Sequence, residues 1–194
     1  MPKVDRSKYA VLALLSYSPM SGYDMKKFFD LSLSSFWNEE FKQIYSSLQK
    51  LQKLNLVEKK TVESEKKPDK HVYYITDKGR EEFINWLMKP AMELILRSEF
   101  LFKLFFGALV PIEESIEKIK TEMKRSEEHI QRLEREEEVI NNQYSLDEHK
   151  LYWLMVIDYG LSQERSSIQW CKKWLENLEQ IRERDNKDGA FIKT

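Results

Sequence analysis

Between Phe41 and Leu54 the chain places Lys42, Gln43, Ser46, Gln49, Lys50 and Lys53 along one side of a helix turning 100° per residue. These cations, amides and hydroxyls do no covalent chemistry. They are the groups that reach base edges and phosphates in the major groove of DNA, and no carboxylate joins them on that face from Lys42 onward. Phe41, Ile44, Leu48 and Leu51 fall on the other side and are expected to be core. Residues that catalyse are present without workable spacing. His71, His129 and His149 are isolated, and no Cys or carboxylate cluster has the spacing of a metal site. Cys171 sits on an apolar row, where a buried, inert thiol is expected. The five glycines form no phosphate loop, and there is no G-x-S-x-G. The sequence therefore predicts a binding protein, not an enzyme, with no cofactor and no metal.

Several elements are needed to position that face. The apolar run around Tyr9 to Leu15 predicts a central helix packed on several sides, ended by Ser18-Pro19-Met20. Ser21 is a predicted N-cap for a second helix to Asp30, with Tyr23, Met25, Phe28 and Phe29 as its buried stripe. The helix from Phe41 follows in helix, turn, helix order. Leu56–Val62 and His71–Ile75 then read as two strands joined by a charged loop, Glu63–Lys70, whose tip carries Lys66, Lys67 and Lys70. Thr76-Asp77 caps a fourth helix with Phe83, Trp86 and Leu87 on one side. Three helices, a hairpin and a closing helix predict a winged helix-turn-helix over residues 1–89, with a core of Leu12, Leu15, Ile44, Leu48, Leu51 and Tyr74.

The segments Ser18-Pro19-Met20-Ser21-Gly22-Tyr23, Gln43 to Leu51, Leu56-Val57 and Tyr73-Tyr74-Ile75-Thr76-Asp77-Lys78-Gly79 occur in an order and spacing that resembles the PadR family of transcriptional regulators. Residues 8–88 carry the resemblance closely. The remainder resembles the long helical C-terminal domain of PadR-like and AphA-like members. The resemblance implies that Tyr23 and Tyr45 hold phosphates, and it counts Ser21, where histidine is frequent, among the DNA-facing positions. Lys42 stands where glycine is common and Ser46 where proline often follows the tyrosine, so both are expected to alter operator preference. Asn55 replaces a usual glycine and is expected to take the left-handed C-cap conformation.

The second half reads as a connecting helix over 90–110 and a helical dimerisation domain over 111–194. Ile112, Ile119, Leu133 and Ile140 recur every seven residues or a multiple of it, beside Ile116, Met123 and Ile130, with Ser126 and Glu137 as polar entries. A second long helix, to about Arg184, repeats Leu154, Leu161, Ile168 and Leu175, beside Ile157, Cys171 and Leu178. Joined by a short turn at Gln143 to Asp147, the two helices predict an antiparallel hairpin. It is too thin for a complete core, so these rows are expected to hold a homodimer, which the family resemblance implies as well. Phe102, Phe105, Trp153, Trp170 and Trp174 are candidates for a cavity taking a small aromatic effector, with plain packing as the alternative.

Composition bounds the rest. The chain has 194 residues, 41% hydrophobic and 34% charged, with a net charge of −1. Residues 1–80 hold 15 Lys and Arg against 10 Asp and Glu, leaving 17 against 23 for the rest, so the basic half is the one proposed to meet DNA. One cysteine, no leader and no membrane span predict a cytoplasmic protein. The expected mechanism puts Lys42, Gln43, Ser46 and Gln49 nearest the bases of double-stranded DNA and Lys53 and the hairpin lysines on phosphates. A repressor on a palindromic operator is the expectation, and a protein-binding scaffold is the alternative.

Overall fold

The computed structural model describes residues 6–30, 37, 40–62, 70–92, 97–144 and 147–191. The chain forms two compact units, Met1–Leu94 and Ile95–Thr194. The first is built on α1 (Ser7–Tyr17), whose Val11, Leu12, Leu14 and Leu15 are all buried, because α3, α4 and the sheet pack around it. Ser21 caps α2 (Gly22–Phe28) through a capping box with Asp24, as its spacing predicts. Helix α3 (Phe41–Lys53) follows, then the antiparallel strands β1 (Val57–Val62) and β2 (Lys70–Ile75), paired from Val57 with Ile75 to Val62 with Lys70. The wing is anchored at its base by a bridge between Met20 and Tyr73, with reciprocal backbone bonds of 3.0 and 3.3 Å.

Asn55 closes α3 with φ of 58°, the left-handed conformation expected of it. Leu56 N–H donates to Leu51 carbonyl at 2.9 Å and Asn55 N–H to Gln52 carbonyl at 3.1 Å, which is the Schellman pattern. The Thr76 hydroxyl then donates to Asn55 carbonyl at 2.9 Å while capping α4 (Asp77–Leu87) at Gly79 N–H. Helix end, wing and closing helix are thus tied at one point. Gly79 is required there, since a Cβ would lie 2.0 Å from Leu56 carbonyl oxygen. Tyr9 stacks on Trp86 at 4.5 Å, and Lys8 and the Tyr9 hydroxyl both bond Glu82 at 3.0 Å, which fixes α4 to α1. The Lys8 bond holds the Glu82 carboxyl below the usual carboxylate range against a smaller opposing effect of burial.

The helical side of α3 differs from expectation at its first residue. Ile44, Leu48 and Leu51 are fully buried, joined by Ser47, but Phe41 is 44% exposed. It is the first residue of the helix, a turn before the fully buried Ile44. Of the four residues expected in the buried stripe of α2, only Met25 and the following Phe29 are buried, while Tyr23 and Phe28 face solvent, because a seven-residue helix presents too narrow a stripe for four large side chains. Tyr73, not Tyr74, belongs to the core; the strand alternation turns Tyr74 outward, under the Lys60 ammonium at 4.7 Å. Leu87 is exposed at the end of α4.

In the second unit the expected connecting helix is shorter than 90–110. It is realised as α5 (Glu99–Phe105), capped by Ser98, and a 3-10 turn at Gly107–Leu109, both within the helical unit. Helices α6 (Ile112–Gln143) and α7 (Lys150–Phe191) form the predicted antiparallel pair, of about 48 and 63 Å at 1.5 Å per residue. Here one expectation is overturned. Ile157 and Leu161 are buried within this single chain, packed with Leu133 of α6 and with Ile130 and Ile140 beside it; Cys171 is buried as well, and Leu154, Ile168, Leu175 and Leu178 are half-buried. The buried members of these seven-residue rows are thus covered within one chain, by the hairpin itself. Polar contacts also cross it: Ser126, a polar entry of the α6 row, donates to Ser167 at 3.2 Å, and His129 Nδ1 lies 2.6 Å from Glu164. Burial and the nearby Glu122 push the Cys171 thiol up, as suits an inert thiol.

Candidate nucleic-acid interface

Helix α3 presents Lys42, Gln43, Tyr45, Ser46, Gln49 and Lys53 to solvent, with Lys50 and Gln52 beside them. Its thirteen residues contain no Asp or Glu. The lysines Lys50 and Lys53 fall in its last turn, where the negative end of the helix dipole favours cations, and Gln49, Gln52 and Lys53 line an open depression. At the other end Gln43 Oε1 accepts the Glu40 N–H at 2.9 Å, so its amide NH2 is the group left for a base or phosphate.

Tyr45 is held by its neighbour. A Cβ on Gly22 would stand 2.8 Å from the Tyr45 ring, so the glycine opens the start of α2 to that ring. Tyr23, on the next residue, is 64% exposed and leans toward Phe41 with ring centroids 6.3 Å apart. Phe41, Tyr45 and Tyr23 thus border the polar face of α3 on the α2 side. Ser21 does not belong with them. It is only 6% exposed, and its hydroxyl exchanges bonds with Asp24, donating to the carboxylate at 2.8 Å and accepting the Asp24 N–H at 3.2 Å. Its part is to orient α2.

Of the hairpin cations, Lys66 and Lys67 lie outside the described residues, and Lys70 is placed only as the first backbone position of β2. Lys59 and Lys60 on β1, passed over in the sequence reading, are exposed on the wing. Alternation alone assigns a strand's two faces without saying which lies beside a neighbouring helix, so the pattern gave no signal for them.

Residues 11–85 match the transcriptional regulator PadR-like family, and residues 96–179 match the domain described as virulence activator alpha C-term. The chain is 27% identical over 173 residues to the negative transcriptional regulator PadR of Bacillus subtilis (strain 168), covering 87% of this chain and 94% of that protein. The crystal structure of Bacillus subtilis PadR in complex with operator DNA is similar with a TM-score of 0.78 at 25% identity, over 88% of this chain and 98% of that one. The same protein in complex with p-coumaric acid gives 0.74 at 24% identity, over 89% and 98%. The chain belongs to the PadR-like family. It is a DNA-binding regulator of transcription and not an enzyme.

Within this PadR-like chain the five aromatic residues expected to line one cavity are in three places. Trp153 meets Tyr144 and His149 at the hairpin turn, with centroids 5.3 and 5.9 Å away. Trp170 packs edge-on to Phe100 at 6.0 Å and lies near Trp174 at 6.4 Å. Phe102 and Phe105 meet Phe106 on α5, and Phe105 is 82% exposed. Seventeen positions of one continuous helix, about 25 Å, separate Trp153 from Trp170, so they cannot share a small pocket in one chain. Among the described residues no three His, Cys, Asp or Glu gather where they could hold a metal ion, and no helix is long and apolar enough to cross a membrane.

Proposed function

We propose that the protein acts as a homodimeric repressor whose two copies of α3 enter successive major grooves of a palindromic operator. The observation that carries this reading is the carboxylate-free polar face of α3, set on a buried face that fixes its orientation. Lys42, Ser46 and Gln49 are assigned to base edges, Gln43 through its free amide group. Tyr23, Tyr45 and Lys53 are assigned to phosphates, with Lys59 and the wing-tip lysines following the flanking backbone. A single helix of this size reads too few bases for a specific site, so two are required about one turn of DNA apart.

The surface assigned to dimerisation is the side of α7 turned away from α6. Leu151, Tyr152, Met155 and Tyr159 are each at least 60% exposed there, and Val156 continues the same apolar side. So long an exposed apolar face on a soluble helix is what a second copy would cover. Release by a small aromatic ligand is assigned to Trp170 and Trp174 beside Phe100, where part-exposed indoles offer stacking faces. Its support is the partially similar Bacillus subtilis PadR, solved with p-coumaric acid. Fluorescence anisotropy on the protein's own promoter DNA, with unrelated duplex as competitor, tests the reading. Two protomers per duplex and retention of the complex under competition are expected; equal affinity for both DNAs would overturn it.

A further inference from the structure

Phe41 is spent neither on the core nor on capping. Ile44 and Leu48, one and two turns further along α3, are fully buried, yet the Phe41 ring remains 44% exposed. Its aromatic neighbour Tyr23 is exposed too, so the pair, 6.3 Å apart and inclined at 32°, leaves an apolar edge in solvent beside Lys42 and Tyr45. The ring stands in the first turn of the helix, the part of a recognition helix that comes closest to base edges. In a major groove the only apolar group on any base edge is the 5-methyl of thymine, which phenylalanine side chains contact. From these observations we infer that Phe41, backed by Tyr23, reads a thymine methyl in each half-site and is a specificity-determining residue of the interface.

This inference rests on the DNA-binding reading above and adds a base identity to it. Cationic and amide neighbours on the same helix would bring the ring to the groove, and burial of the methyl against it supplies discrimination that hydrogen bonds cannot. Tyr23 is a positioning residue here, supporting the Phe41 ring from the side of α2.

The test uses the full-length protein and an operator selected from random duplex DNA, with each thymine replaced in turn by uracil, which lacks only the methyl. For wild type, one symmetry-related thymine should stand out, its replacement weakening binding about fourfold per half-site and about fifteenfold in both. Phe41→Ala should lose a similar factor on the thymine operator and be indifferent to uracil at that position. Phe41→Leu, which restores apolar contact, should recover part of the methyl preference. Circular dichroism should show both variants folded, as an exposed site permits. Phe41→Ala keeping the wild-type sensitivity to uracil, or losing affinity equally at every thymine position as a sugar contact would, overturns the inference. Failure of wild type to retain any selected duplex overturns the DNA-binding reading itself, which the uracil series leaves distinguishable.

Discussion

Lys53 and Gln49 are neighbours on α3 with different assignments, and single substitutions separate them. Lys53→Ala should weaken binding uniformly across sequences and reduce the slope of log affinity against log salt by about one unit per half-site. Gln49→Ala should instead relax preference at one or two base positions, by about 1 to 3 kcal/mol, in a selection on randomised operators. Gly22→Ala probes Tyr45. The Cβ would meet the far end of the tyrosine ring, which can swing aside, so thermal stability should change little while operator affinity falls. The polar face of α3 was legible in the residues themselves, because thirteen consecutive positions at helical period define two sides without reference to anything else. Phe41 was not, since its place on the apolar side says nothing of whether another element reaches the start of the helix.

Helix α4 is held to α1 by Glu82, and this gives the first unit a pH dependence with a definite sign. The Lys8 bond lowers the Glu82 carboxyl in the folded state, so its contribution is present above the ordinary carboxylate range and is lost as the medium is acidified through the lowered folded value. Glu82→Gln should remove that acid-side dependence at a cost of roughly 1 kcal/mol near neutrality, read by thermal melts between pH 3 and pH 7, roughly the range over which carboxylates titrate. In the first turn of α4, Gly79→Ala drives a Cβ into backbone and should cost about 3 kcal/mol or more, since neither Leu56 nor the Thr76 cap can yield without opening the Asn55 turn. Caps and turns such as Ser21, Asn55 and Thr76 were readable because their chemistry is local. The α6 and α7 rows were readable as buried faces, yet a seven-residue period states that a face is covered and not by which helix. The two helices have sufficient complementary surface to cover one another, which is why the proposed dimer surface is on the far side of α7.

At the scale of the molecule, that division predicts two unlike failures. Leu161→Asp with Ile168→Asp places two carboxylates, one fully and one half buried, on the side of α7 packed in the hairpin and should unfold it, seen as lost helicity. Met155→Asp with Tyr159→Asp changes only exposed positions and should leave a folded chain that sediments as a monomer and loses the operator. If that pair stayed dimeric, the interface would have to be sought away from the early turns of α7. The central claim, that α3 carries the protein to DNA through its lysines, is tested most directly by titrating the operator from about 50 to 200 mM salt. Lys53 and Lys59, the phosphate-holding lysines of α3 and β1, in each of two copies predict a log–log slope of about −4, steeper with wing-tip contacts. A flat dependence, with affinity unchanged across that range, would contradict it.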